Sequence, residues 1–250
     1  MPELLLEAKS VSYAVKRNPR RRSISLEVLP GEIILRVPQR FARRHISGIL
    51  YRHAAWLLHQ LAALERVRMQ TRREYVTGER FPYLGKTYLL NVVYRRGIQE
   101  PSVALKGGRL WVQTDINADT GAPSLSVGYA LLRWYRARAS AYLARRTEIL
   151  SEVVGLSPTR VTVKNQSDRW GSCSAKGSIS LNWRLILAPI PVVDYVVAHE
   201  LCHLKVANHS PAFWTVLSGV DPQFAKQRAW LKANAWYLKL WFEDRGQRDR

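Results

Sequence analysis

The stretch His199-Glu200-Leu201-Cys202-His203, followed by His209, decides how this sequence is interpreted. It lies within a run of apolar residues at helical spacing that extends to Leu204. Residues four apart lie on the same face of an α-helix, so His199 and His203 can present two imidazole nitrogens to one metal ion. Glu200 lies one residue further round the helix and can reach a water molecule bound to such an ion. The pattern therefore predicts a helix with two metal ligands and a general base.

A third ligand is needed for a catalytic site, and His209 is the nearest remaining histidine. On a continuous helix His209 would point away from the metal, at about 280° around the axis from His199. We therefore expect the helix to break between His203 and His209, with Asn208 in the left-handed conformation that ends helices. Three neutral nitrogen ligands and one open position for water are typical of catalytic zinc. Zn²⁺ is thus the predicted cofactor.

The two cysteines, Cys173 and Cys202, are too few for a disulfide framework, which indicates a reducing compartment. They also offer an alternative, a structural zinc site made with two of the histidines, but this would leave Glu200 without a role. The first residues lack the basic start and long apolar run of a signal peptide. No stretch of about 18 apolar residues is present. We expect a cytoplasmic protein without a membrane span.

The charge of the chain is strongly positive, with 39 Lys and Arg against 19 Asp and Glu and a net charge of +20. A field of this sign attracts polyanions, so nucleic acid or nucleotides are candidate partners. Plain solubility is the alternative explanation. The sequence shows no ordered groove of basic and aromatic residues, so the charge alone identifies no partner.

The first part of the chain, residues 1–120, is predicted to be a β-rich region with one long helix over 43–69. Apolar and polar residues alternate in its strands, and Gly85-Lys86 and Gly107-Gly108 mark hairpin turns. The polar segment Asp119–Ser124 is the predicted boundary. The predicted strands before the helix are Val11–Val15, Ser23–Val28 and Ile33–Val37.

The second part, residues 121–250, is predicted to begin with a long amphipathic helix that ends near Gly155. A strand at 160–164 and a second strand, Ser178–Leu185, follow, with a hairpin turn near Ser174–Gly177. Pro191 then opens the helix that carries the histidine motif. A tryptophan-rich helix over 223–242 closes the chain.

Several longer motifs in this second part carry a resemblance. They are Arg169-Trp170-Gly171-Ser172-Cys173-Ser174, Leu181-Asn182-Trp183-Arg184-Leu185, the segment 194–204, and Asn208-His209-Ser210 with Phe213-Trp214. In these motifs the chain resembles the YgjP-like family of zinc metallopeptidases, most strongly over about residues 124–235. The order of hairpin, histidine helix and third histidine is also similar to the SprT-like and WLM protease domains.

The resemblance implies an α+β fold with a compact zincin-type catalytic domain, built from the histidine helix and a small antiparallel sheet. The hairpin would form a sheet edge over the metal cleft. It also implies that His199, His203 and His209 bind zinc and that Glu200 is the catalytic acid and base.

The predicted function is therefore a zinc-dependent metallopeptidase acting on a peptide or protein substrate. Arg169 and Asn182 are the candidates for contact with the substrate, and an extended peptide could pair with the edge of strand Ser178–Leu185. Phe213 and Trp214 are expected to pack behind the ligand loop. Two alternatives stay open, namely a zinc-dependent hydrolase of nucleotide phosphoanhydrides and a nucleic-acid-binding module with structural zinc. Positive charge suits both alternatives, although no glycine-rich phosphate loop is present.

Overall fold

Six α-helices and three small mixed β-sheets make up the part of the chain that the structure, a computed structural model, describes. That part comprises residues 2–7, 9–116, 123–166 and 168–242, without the side chains of 123–125. The predicted α+β class is confirmed. Among the described residues, no helix is both long enough and apolar enough to cross a bilayer.

The chain divides into two compact units, Met1–Arg72 and Arg73–Arg250. This division comes earlier than the predicted boundary after residue 120, and the predicted boundary segment lies largely outside the described residues. The strands at 80–115 belong to the second unit because they share its core. Buried Phe81 and Leu110 pack in one cluster with Leu131, and the hydroxyl of Tyr135 donates to the carbonyl of Pro82 at 2.8 Å.

The first unit is a four-stranded sheet followed by helices. Its sheet order is β1-β2-β4-β3, in which β2 and β4 are parallel and the other pairs antiparallel. The central strand β4 buries Ile33, Ile34 and Leu35 in succession, which is typical of a strand covered on both faces. The strands are β1 (Glu3–Leu6), β2 (Lys9–Asn18), β3 (Ser25–Leu29) and β4 (Glu32–Pro38).

The helix predicted over 43–69 is present but divided. A 3₁₀ turn, Arg43–His45, leads into α1 (Ile46–Arg52), and α2 (Ala54–Thr71) follows. His53 separates the two helices because its backbone leaves the helical region, with φ −105° and ψ 14°. Leu50 and Leu57, on either side of the break, are both buried.

The second unit begins with another four-stranded sheet, in the order β5-β6-β8-β7. Both predicted hairpins are present. Gly107 and Gly108 have φ values of +57° and +71°, the left-handed pair that a two-residue hairpin turn requires. The strands are β5 (Arg80–Tyr83), β6 (Lys86–Arg95), β7 (Ser102–Lys106) and β8 (Arg109–Asp115).

The remaining elements surround the histidine helix. They are α3 (Pro123–Val154), β9 (Arg160–Lys164), β10 (Gly171–Cys173), β11 (Ser178–Asn182), a 3₁₀ helix (Trp183–Leu187), α4 (Ile190–Cys202), α5 (Pro211–Val220) and α6 (Phe224–Leu240). Helix α4 is buried over most of its length and is joined to α3 by the two-bond ion pair of Arg146 with Asp194, at 2.7 and 2.8 Å. This pairing aligns the helix that carries the site.

The third sheet differs from the prediction in two respects. The hairpin turn at Ser174–Gly177 is confirmed, but it joins β10 to β11, and β9 pairs with β11 in parallel, so the sheet is mixed. The strand predicted over 178–185 ends at Asn182, because the side chain of Asn182 accepts the N–H of Arg184 at 3.1 Å and caps a 3₁₀ helix. Strand β11 is consequently the central strand, and β10 forms the edge.

Candidate metal centre

Three imidazole rings converge at the end of α4. His199 lies on α4, His203 caps it, and His209 returns from the following loop. The Nε2 atoms of His199 and His209 are 3.0 Å apart, and one nitrogen from each of the three rings lies within 4.8 Å of the others. The structure therefore brings all three predicted ligands together.

The predicted helix break is present, but it occurs before Asn208. Helix α4 ends at Cys202, and the N–H groups of Lys205 and Val206 both donate to the Cys202 carbonyl at 3.0 Å. Asn208 is not among the described residues with positive φ, so the left-handed conformation predicted for it is wrong. Its side chain instead accepts the N–H of Ser210 at 3.2 Å, a local turn that leads into α5.

One hydrogen bond orients the ring of His203, and another holds the backbone of His209. His203 Nδ1 lies 3.0 Å from the carbonyl of Val206. Because a carbonyl only accepts, Nδ1 is the protonated nitrogen and Nε2 keeps a free lone pair. The indole Nε1 of Trp214 donates to the carbonyl of His209 at 3.1 Å, and its ring stacks on the His209 imidazole at 5.6 Å.

Phe213 lies beneath all three imidazoles. It is fully buried, and its ring centroid is 4.8 Å from that of His199, 4.5 Å from His203 and 4.9 Å from His209. The prediction that Phe213 and Trp214 pack behind the ligand loop is confirmed. This aromatic layer restricts the ring rotations of the three histidines.

The nitrogens of His199 and His209 suit a zinc ion by their distance and by the protonation of their rings. Bonds of about 2.0–2.1 Å in a tetrahedral site place two ligand nitrogens roughly 3.3 Å apart, close to the separation of the His199 and His209 nitrogens. Burial, followed by the neighbouring His203 and His209, lowers the pKa of His199 to about 3. Burial also lowers the pKa of His209. The two rings are therefore neutral at neutral pH, the form that binds metal.

Glu200 lies directly against the backbone of β10. The residue is 5% exposed, and a methyl group added at Gly171 would lie 2.5 Å from Glu200 Oε1 and 2.6 Å from its Cγ. Such distances are too short for real carbon contacts, so only glycine leaves space for this carboxylate. Burial raises the pKa of Glu200 to about 7, against the opposing charge of Arg169.

The two predicted substrate residues occupy different positions. Arg169 is exposed at the start of β10, and its charge acts on Glu200. Asn182 is fully buried, and its amide nitrogen donates to the carbonyls of Gln166 at 2.7 Å and Arg169 at 3.1 Å. Asn182 therefore supports the loop that carries Arg169.

Sequence reasoning missed two residues at the site, Gly171 and Arg228. Gly171 belongs to a motif that carried the family resemblance. Its contact with Glu200 was not predicted, because the two residues are far apart in the sequence. The guanidinium of Arg228 on α6 lies 4.8 Å from the ring centroid of Trp214 and helps to lower the pKa of His199. No signal distinguished it from the many other arginines. Tyr195 borders the site as well, with its ring 5.9 Å from that of His199.

Comparisons with known proteins identify the family of this chain. The profile of the family described as "YgjP-like, metallopeptidase domain" matches residues 22–234. No curated protein matches the chain. Among solved structures, the chain is similar to the metallopeptidase zymogen of Pyrococcus abyssi abylysin, with 23% identity, 36% of this chain and 93% of that chain covered, and a TM-score of 0.33. Because the family profile spans most of its length, the chain belongs to the YgjP-like metallopeptidase family.

Proposed function

We propose that the chain is a zinc-dependent peptidase in which His199, His203 and His209 hold the ion and Glu200 is the general base. The observation that carries this proposal is the convergence of three imidazoles beside the buried carboxylate of Glu200, which follows His199 on the same helix. A zinc ion bound there would polarise a water molecule and the carbonyl of the scissile peptide bond.

Glu200 then takes a proton from the attacking water and delivers it to the leaving amine. Burial of its carboxylate favours this role, since a poorly solvated carboxylate accepts a proton more readily than an exposed one. Gly171 keeps Glu200 in place by allowing close approach of the β10 backbone. His203 donates its Nδ1–H to the Val206 carbonyl, which leaves the other ring nitrogen for the ion.

The substrate backbone is proposed to pair with β10. The sequence indicated the strand Ser178–Leu185 for this role, but that strand lies in the middle of its sheet, whereas β10 forms an edge beside Glu200. An edge strand offers unpaired backbone groups to an extended peptide. Arg169 precedes β10 and is proposed to contact the peptide, whereas Asn182 would affect the peptide only through the loop that it supports.

The substitution Glu200→Gln tests this proposal. It removes the base but keeps the shape of the side chain, so casein hydrolysis should fall by at least about 10²-fold. Zinc content, measured on the purified protein, should not change. Glu152→Gln, at an exposed position on α3, is the matched control. Wild-type turnover by Glu200→Gln would exclude the mechanism.

A second candidate is a nucleotide phosphoanhydride hydrolase. Two guanidinium groups near the imidazole cluster favour it, because Arg169 acts on Glu200, and Arg228 stacks on the indole behind His209. Arginine forks bind phosphate oxygens well. Parallel assays with casein and with nucleoside triphosphates, each with and without chelator, decide between the two substrates. Chelator-sensitive release of phosphate without casein hydrolysis would favour this second function.

The structural-zinc alternative has less support. Neither cysteine belongs to the imidazole cluster found among the described residues. Cys202 is fully buried, and burial raises its pKa to about 11, so the thiolate that binds zinc is disfavoured.

A further inference from the structure

The topology of the first unit brings two loops to one edge of its sheet. Strands β2 and β4 are parallel, and their register runs to the pair Asn18 and Pro38. Both strands therefore end at the same edge. The loops that follow them, residues 19–24 and 39–45, leave the sheet there.

These two loops and the strand end before them are rich in arginine. We call the set the arginine edge. Arg21 is half-buried and the others are exposed. Arg17 joins the two segments, since its Nη1 donates to the carbonyl of Gln39 at 2.9 Å and to that of Phe41 at 2.7 Å. The arginine edge comprises Arg17, Arg20, Arg21, Arg22, Arg40, Arg43 and Arg44.

Among the described residues, no ion pair neutralises the positive charge of the arginine edge. Among the described residues of this unit, the ion pairs are Arg36 with Glu27 and Arg68 with Glu65, and neither involves the arginine edge. Residues 8–26 and 33–64 contain no Asp or Glu at all. Like charges held on neighbouring loops repel one another, so the arrangement is favourable when an anionic partner is bound.

The guanidinium groups of the arginine edge are suited to binding the successive phosphate groups of a nucleic-acid backbone. Guanidinium forks match phosphate oxygens in a two-bond geometry, whereas lysine offers only a point charge. The same unit also exposes large aromatic side chains, with Tyr51 54% and Trp56 45% exposed. Exposed aromatic rings stack on unpaired bases. We propose that the arginine edge binds the phosphate backbone of single-stranded nucleic acid, independently of the peptidase function proposed for the second unit.

The test measures binding of a labelled single-stranded DNA oligonucleotide to the full chain over a range of salt concentrations. The variant R20Q/R22Q/R40Q/R44Q removes four arginines whose side chains make no bond between the two loops. It spares Arg17, which bonds the two loops together, and Arg21, whose side chain bonds Ser23 and Ser25 in its own segment. Removal of each arginine that touches a phosphate should reduce the slope of log affinity against log salt by about 0.7. Four such losses should reduce the slope by about 2.8, and we expect the variant to bind at least about 10²-fold more weakly at low salt.

The matched control is R66Q/R95Q/R96Q/R160Q, which removes the same charge from exposed positions outside the arginine edge. It should keep most of the affinity and the salt slope. Equal reductions in the two variants would show that net charge alone attracts the DNA, and would overturn the proposal. Tighter binding to anionic phospholipid vesicles than to DNA would assign the surface to membranes and overturn it as well. Matching melting temperatures of the two variants establish that both are folded.

Discussion

The metal centre of the second unit and the arginine edge of the first unit are built in opposite ways. At the metal centre, His199, His203 and His209 pack around the buried ring of Phe213, and a hydrogen bond to the Val206 carbonyl orients the ring of His203. At the arginine edge, by contrast, several exposed guanidinium groups of the same kind lie on two loops. A site of the first kind should fail when a single atom is misplaced, whereas a surface of the second kind should lose function in small and similar steps.

The largest effect is expected for His209→Ala. This ligand comes from the loop and not from α4, so its removal leaves two nitrogens on one helix and opens the site. Zinc affinity should fall by more than about 100-fold, since even partners that only orient ligands contribute about 10–100-fold. Zinc titration of the purified variant measures it. His59→Ala, at an exposed position on α2, is the control, and equal zinc affinity in the two variants would remove His209 from the ligand set.

Gly171→Ala should produce the next largest effect, on catalysis and not on zinc content. The added methyl would overlap with Oε1 and Cγ of Glu200, so the carboxylate must move. Displacement of about 1 Å can cost about 10²-fold in rate. We expect kcat for casein hydrolysis to fall by about that factor. Gly219→Ala on α5, where an added methyl meets nothing within 4 Å, is the matched control.

The double variant Gly171→Ala with Glu200→Asp tests whether the methyl group acts by displacing Glu200 or by disturbing strand β10. Asp is shorter than Glu and withdraws from the added methyl, so Gly171→Ala should cost at least about 10-fold less when residue 200 is Asp. Equal rate reductions in the Glu200 and Glu200→Asp backgrounds would show that the methyl group acts on β10 itself. The comparison also remains valid if the natural substrate is not casein, because it concerns relative rates.

The sequence predicted the convergence of the histidines well where local geometry decides, and predicted contacts between distant segments less well. The spacing of His199 and His203 follows from the helix period alone. The break before His209 was required by the same geometry, but its position depends on two N–H groups that share the carbonyl of Cys202. The contact of Gly171 with Glu200 joins β10 to α4, and no local pattern predicts it.

In the strands, the errors came from capping and from pairing. A capping signal was available at Asn182, since Asn is a favoured residue at the start of helical turns, and it explains why β11 ends there. The pairing of β9 with β11 could not be predicted from the sequence, because parallel partner strands are not adjacent along the chain. In the first unit, the parallel pairing of β2 with β4 likewise brings arginines from two separate segments of the sequence to one edge of the sheet.

The smallest effect is expected for a single arginine. Arg22→Gln should lower the slope of log DNA affinity against log salt by about 0.7, because one phosphate is released from its guanidinium while the other phosphates stay bound. Arg66→Gln, at an exposed position on α2, is the control and should leave the slope unchanged. If Arg22→Gln alone abolished binding as fully as the fourfold variant, the arginine edge would contain a specific pocket. It would then resemble the metal centre, where one side chain decides the outcome, and the contrast between the two units would no longer hold.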